Sequence, residues 1–313
     1  MPKIRPLTEA DLPQAQRIIR RAFGTFFGVP DLDVFWTDVD YAYGRFGAGH
    51  VAAFAADQDD RLVGSNFAVR WGSVGFFGPL SIDPEHWDGG IGQRLVRAAC
   101  EQFEEWGIRH AGLFTFAQSA KHVGLYGKFG FYPRFLTAVM TAPARPAATP
   151  LQWARYSALP ADQRDEAEGA CRAIADAIFP GLDLGGEIRT AAAQGAGDTV
   201  LLGNGDSRLV GFAVCRWGPA SEAGTGNCLI RFAAALPDAR AQTCFDALLD
   251  ACGALAASAG LRQVVAPVNL AREEAYKHLL ARGYRTETQG VTMHRPNEPG
   301  YSRPGLFVLD DWR

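Results

Sequence analysis

Leu80 to Ala99, LSIDPEHWDGGIGQRLVRAA, reads as the end of a strand, a short loop with a Gly-Gly-x-Gly core, and an amphipathic helix. Gly89, Gly90 and Gly92 lack side chains, so the backbone can turn through positive φ and a ligand can approach it. The helix opens at about Ile91, and Ile91, Leu95, Ala98, Ala99, Phe103 and Trp106 repeat with a 3.6-residue period. Its first N–H groups have no partner within the helix and its dipole favours negative charge, which suits a phosphate or pyrophosphate. No GxGxxG follows the strand and no Walker lysine follows the loop. By itself the loop therefore reads equally as an anion cradle or as a tight turn capping a helix.

A second segment lies downstream: Ser119 to Phe131, ending Gly124-Leu125-Tyr126-Gly127-Lys128-Phe129-Gly130-Phe131. The pair resembles the GNAT family of acetyl-CoA-dependent N-acetyltransferases over about residues 3 to 142. In that family a Q/R-x-x-G-x-G/A loop cradles the coenzyme A pyrophosphate, and N-x-x-A-x-x-L-Y-x-K-x-G-F follows about thirty residues later. Here Trp87-Asp88-Gly89-Gly90-Ile91-Gly92 stands for the first motif and Ser119 to Phe131 for the second. Trp87 replaces the usual Gln or Arg, Asp88 adds a negative charge beside the phosphates, and Ser119 replaces Asn.

The resemblance implies an α/β (α+β) GNAT fold, with a mixed, mostly antiparallel twisted sheet flanked by helices. It implies acetyl-CoA as co-substrate, held by Leu80, Ser81, Ile82, Trp87, Asp88, Gly89, Gly90, Ile91, Gly92, Gln93, Ser119 and Tyr126, with no metal. The reaction implied is direct attack of a primary amine of a small molecule or peptide on the thioester. Tyr126 sits where the family places a tyrosine near the sulfur. A phenol has a reference pKa of about 10 and a thiol about 8.5, so full proton transfer is uphill by about 2 kcal/mol. Tyr126 is thus either perturbed downward or a hydrogen-bond donor to the sulfur. A general base is not visible: the splayed strand carries no acid, Glu85 reads as orienting the turn, and His122 reads as a surface or satisfied histidine.

The chain has 313 residues, room for two domains, and at 48% hydrophobic it can build a sizeable core. A net charge of −3 argues against an extended nucleic-acid surface. Cys100, Cys171, Cys215, Cys228, Cys244 and Cys252 show no CxxC spacing and no Cys/His cluster. No apolar run is long enough to span a membrane and the first residues form no signal region. The expectation is a cytoplasmic protein without nucleic-acid or membrane partners, with monomer and homodimer both open.

Ile4 to Leu7 reads as a first strand. Thr8 with Asp11 resembles an N-cap pair for a helix that Gly24 ends. Residues 25 to 49 interleave Phe26, Phe27, Phe35, Trp36, Tyr41, Tyr43 and Phe46 with Asp31, Asp33, Asp38 and Asp40. By the family resemblance this region walls the acceptor site, and the aspartates suggest a cationic amine. The plain alternative is packing rings and a solvated acidic face. Strands follow at His50 to Ala56, Leu62 to Trp71 and Val74 to Ile82, the last interrupted by Gly78-Pro79, which implies an edge, bulge or splay. Ala111 to Phe116 and Phe131 to Thr141 complete the set, with a helix over Ala120 to Lys128 between them.

Ala142 to Pro150, rich in Pro and Ala, reads as a linker between an N-terminal unit, 1–146, and a second, 151–313. Arg61-Leu62-Val63-Gly64 reappears as Arg208-Leu209-Val210-Gly211, and Lys128-Phe129-Gly130-Phe131 as Ala281-Arg282-Gly283-Tyr284. Offsets of about 147 to 156 residues indicate a duplicated domain. The second copy places Gln242, Thr243, Cys244 and Phe245 opposite the glycines. Opposite Tyr126 it has Leu279 by a gapless count, or Tyr276 by the spacing from Asn269. It reads as a degenerate GNAT domain with a structural role. An acyl-CoA-binding sensor or scaffold without turnover, and an aminoacyl-tRNA-dependent transferase, are the competing readings.

Overall fold

The computed structural model describes residues 2–147, 151–203, 208–219 and 221–313. In the first half come β1 (Lys3–Pro6), α1 (Leu12–Phe27), the short α2 (Ala42–Arg45), β2 (Val51–Gln58), β3 (Arg61–Trp71), β4 (Val74–Phe77) and β5 (Ser81–Ile82). Then follow α3 (Ile91–Glu105), β6 (His110–Thr115), α4 (Ala120–Gly127) and β7 (Tyr132–Pro143). The second half has β8 (Trp153–Arg155), α5 (Ala161–Ile178), α6 (Gly185–Ala193), β9 (Gly197–Gly203), β10 (Leu209–Gly218) and β11 (Gly224–Ala235). It closes with α7 (Ala241–Ser258), β12 (Gln263–Asn269), α8 (Glu273–Ala281), β13 (Arg285–Arg295) and β14 (Val308–Asp310). The expected linker begins inside β7, and its residues 148–150 lie outside those described.

α1 buries Leu12, Ala15, Ile18, Ile19 and Ala22 on one side, and Thr8 with Asp11 forms the expected capping box. Gly24 does not end this helix. A side chain there would come within 2.5 Å of Leu32 Cδ2, so the glycine lets the following loop pack against the helix. Gly28, at φ +67°, ends it instead.

One mixed sheet runs through the molecule in the order β1-β2-β3-β4-β6-β13-β7-β12-β11-β10-β9-β8. The last long strand of each half is inserted beside its opposite. β13 lies antiparallel between β6 and β7, pairing Met293 with Leu113 on one side and Gln289 with Ala138 on the other. β7 in turn lies between β13 and β12. The sequence repeat therefore does not divide the sheet. A trio at the crossing, Thr137, Thr292 and Asn269, is buried and hydrogen-bonded, with Asn269 Nδ2 3.3 Å from each hydroxyl.

The halves also share a core in which Trp71 and Phe76 meet Ile178, Phe232 and Trp312. Buried charges cross beside it. Arg45 pairs with Glu222 at 2.7 Å, and Arg231 with Glu222 at 3.1 Å and Glu187 at 3.3 Å. Burial alone would raise the Glu187 carboxyl, but Arg231 and His50 outweigh it and hold it well below the usual carboxylate range.

The tail is docked at Tyr301, Ser302 and from Leu306 to Trp312, which are buried. β14 pairs with β11 from Phe232 to Ala234. Trp312 then lies parallel to Phe76, ring centres 6.0 Å apart, in a slot left by Gly112, where a Cβ would stand 2.1 Å from the indole.

Two outcomes follow from the seam. His110 Nε2 lies 3.2 Å from His294 Nδ1, which also reaches the Glu298 carbonyl at 3.0 Å. Burial pushes the His110 pKa down to about 3, helped by His294, and the His294 pKa down to about 4. An unfolded histidine titrates near 6.5, so the unfolded chain binds more protons between about pH 4 and 6.5. Stability is full above about pH 6.5 and falls on acidification through that window, and His110→Gln flattens the fall, as read from urea midpoints at successive pH values. Glu222→Ala leaves Arg45 and Arg231 short of a buried partner and costs about 3–5 kcal/mol in the same measurement.

Candidate active site

β4 and β6 run parallel and pair only from Val74–His110 to Phe76–Gly112. Beyond that they diverge. The cause is visible in the β3 register, where Ala68 pairs with Phe77 and Ser65 with Ser81. Two residues of β3, Asn66 and Phe67, thus face Gly78, Pro79 and Leu80, which is a bulge. Gly78 sits at φ +148°, a conformation side chains rarely adopt. Arg45, held by Glu222, hydrogen-bonds the Gly78 carbonyl from the far side.

The register also fixes which main-chain groups face the fork. Asp83 N donates to Val63 O at 2.9 Å, so 81 and 83 bond to β3 while Leu80 and Ile82 turn their N–H and C=O groups away from it. Ile82 O is already engaged: Trp87 Nε1 donates to it at 2.8 Å. Ser81 is buried, its main chain bonded to β3, and it lies off the fork.

The fork opens into a cavity of about 660 Å³ that reaches the N-terminus of α3. Leu80, Ile82, Trp87, Asp88, Gly90, Ile91, Gly92, Gln93, Ser119 and Tyr126 all line it; Ser81 and Gly89 do not. Gly90 caps α3 at φ +74°, and Asp88 also turns through positive φ, at +65°. A side chain at Gly92 would meet Ile82 and Leu125 at 3.5 Å and fill the floor. Asp88 does not face the cradle unpaired. Lys121 Nζ lies 2.6 Å from its carboxylate and over the Trp87 ring. Glu85 pairs with Arg21 at 3.0 Å and Asp83 caps the turn, in line with a role in orienting the loop.

Tyr126 is buried against Phe77 and lines the cavity. Burial pushes its phenol up, not down, which favours a hydrogen-bond donor over an acidified tyrosine. Of the two readings of His122, surface or satisfied, the satisfied one holds. It lines the cavity with Nδ1 2.8 Å from Ser119 Oγ and its ring 5.3 Å from Phe26, and burial, then Lys121, lowers its pKa.

The far end of the cavity is aromatic, walled by Phe23, Phe26, Phe27, Trp36, Phe114 and Phe116. The interleaved aspartates are elsewhere. Asp31 accepts from Asp33 N, Asp38 from Thr225 N at 2.8 Å and Asp40 from Tyr43 N at 2.8 Å, and none of the four lines the cavity. Sequence reasoning did not single out Phe114, Phe116, Thr288 and Arg313, which also line the cavity. Thr288 and Arg313 arrive from the exchanged strand and the tail, for which no local signal exists.

The second half answers differently at every point. α7 starts from Arg240 at φ −102°, with no left-handed glycine. α8 and its exit settle the correspondence: Phe131 N reaches back to Tyr126 O, and Tyr284 N to Leu279 O, while Gly130 and Gly283 both take φ near +80°. Leu279 stands opposite Tyr126, and Asn269 serves the seam. The fork between β11 and β12, paired only from Asn227–Gln263 to Leu229–Val265, is filled by β14.

Residues 13–131 match the model of the Acetyltransferase (GNAT) family. No curated protein matches the sequence. Among solved structures, a protein of Pyrococcus horikoshii with a provisional acetyltransferase name aligns with TM-score 0.68 at 14% identity, over 99% of this chain and 95% of its own. A GCN5-related N-acetyltransferase from Sphaerobacter thermophilus aligns at 0.58 and 15%, over 94% and 95%. A tandem GNAT protein from the clavulanic acid biosynthesis pathway aligns at 0.55 and 13%, over 94% and 98%. At such identities the likeness is one of fold; the segment that matches the GNAT family model, residues 13–131, encloses the cradle, the fork and Tyr126.

Proposed function

We propose that the protein transfers an acyl group, acetyl in the simplest case, from coenzyme A to a primary amine of a small molecule or peptide. The observation that carries this is the continuity of one cavity from the glycine cradle of α3, along the fork, to the Tyr126 face of α4. The residues fit the coenzyme. Gly90, Gly92 and the free N–H groups of α3 suit its pyrophosphate. Leu80 and the Ile82 N–H supply hydrogen-bonding edge for an extended arm, while Ile82 O is spent on Trp87. When bound, the coenzyme supplies an activated thioester.

The chain's own groups then divide the work. Leu80 N–H, on the bulged strand and turned into the fork, is the donor for the developing oxyanion. Tyr126 keeps its proton and donates a hydrogen bond towards the departing sulfur, since burial disfavours its phenolate. The Asp88–Lys121 pair leaves no uncompensated negative charge beside the phosphates, which weakens the case for a closed cradle without turnover. The cradle and fork lie within residues 1–146, and Thr288 and Arg313 of the second half complete the cavity.

Calorimetric titration of coenzyme A gives one site per chain, and Gly90→Val abolishes it, because a β-branched residue does not tolerate φ +74°. Two sites, or none, overturn the reading. Tyr126→Phe keeps coenzyme A binding and lowers turnover ten- to a hundredfold, about 1.4–2.8 kcal/mol in the barrier.

A further inference from the structure

The aromatic end of the cavity has a chemistry of its own. Its rings form a connected wall: Trp36 contacts Phe27 at 6.3 Å, Phe27 meets Phe116 edge-on at 5.1 Å, and Phe116 lies 5.3 Å from Phe26. Phe26 continues the wall to His122. Trp36 is backed by Phe35, stacked at 4.6 Å, so the wall is stiff. Phe27 is 43% exposed, a large apolar ring left at the mouth.

The charges near this end are few and already matched. Arg313 reaches the cavity with Nε 2.8 Å and Nη2 2.9 Å from the two oxygens of Asp311. Asp88 and Lys121 neutralise each other at the cradle end. Among the described residues, no carboxylate lines the aromatic end, and Asp31, Asp38 and Asp40 are committed to main-chain N–H groups. A second ammonium on the acceptor would be desolvated against these rings with no unpaired side-chain carboxylate in the lining to meet it, an unfavourable burial.

We infer that the acceptor is a monoamine with a flat apolar body, an arylalkylamine, whose ring stacks within the Trp36–Phe27–Phe116 wall while its amine points back to the fork. This rests on the acyl-transfer reading and narrows its substrate. Aromatic pairs of this kind prefer offset or edge-to-face contact at centroid separations of about 4.5–7 Å, the spacing these rings already keep among themselves. A lone ammonium arriving between such faces is also attracted by their quadrupoles before it loses its proton.

The test is calorimetry with the full chain held saturated in coenzyme A, so that amine binding is read without turnover. 2-Phenylethylamine binds at least tenfold more tightly than 1,4-diaminobutane. Phe27→Ala, at an exposed ring whose loss spares the core, weakens 2-phenylethylamine at least fivefold and leaves coenzyme A binding unchanged. Trp36→Ala is the second variant and acts in the same direction. Equal or tighter binding of the diamine, or no amine binding at all, overturns the assignment while leaving acyl transfer standing. So does octanoyl-CoA binding more tightly than acetyl-CoA by a margin that Phe27→Ala removes, since the wall would then belong to the donor's acyl chain. Failure to bind coenzyme A overturns the acyl-transfer reading, and this assignment with it.

Discussion

The main-chain ladder of β13, set between β6 and β7, is the constraint on which the rest depends. An interior strand must satisfy hydrogen bonds on both edges, and one without its neighbours leaves unpaired N–H and C=O groups in the core. Each half of this chain lacks the strand that would complete it and receives that strand from the other half. Packing follows from this pairing. Trp71 and Phe76 find Phe232 and Trp312 because the exchange brings the two halves into one sheet, and the Arg45–Glu222 and Arg231–Glu187 pairs then lie buried where the halves meet.

The same arrangement delivers geometry to the site. Gly78, Pro79 and Leu80 form a bulge of three residues against two, and the divergence of β4 from β6 begins there. Arg45 fastens the Gly78 carbonyl, and its own partner Glu222 belongs to the second half. The second half therefore holds, through Glu222 and Arg45, the backbone at the bulge beside Leu80.

Much of the site was legible because its signals are local. Glycines before a helix, a proline within a strand and the Ser119-to-Phe131 motif constrain backbone within a few residues, and the structure brings ten of the twelve expected cofactor residues onto one cavity. Ser81 lies off the cavity because alternation along a strand turns every second residue away, and the register was not readable without its partner. The aspartates of residues 31–40 misled for a related reason. Their short carboxylates serve nearby or incoming N–H groups, as Asp38 does for Thr225, and composition alone does not reveal such partners. Gly24 looked like a helix end and proved to be a point of close approach. The strand exchange was the least legible feature, since β13 reads identically whether it pairs within its own half or across. Thr288 and Arg313 reach the cavity only through that long-range topology.

In the second half, β14 runs where the first half keeps its fork free, bonded along β11 and anchored by Asp310 to Tyr301 and Arg272. The chain has become its own ligand. A tethered occupant is present at an effective concentration that no dissolved competitor of ordinary affinity matches, because its encounter is intramolecular. Restoring glycines to the start of α7 would thus not by itself revive a second site. β14 thus occupies, as a tethered strand, the place in the second half that the first half leaves open between β4 and β6.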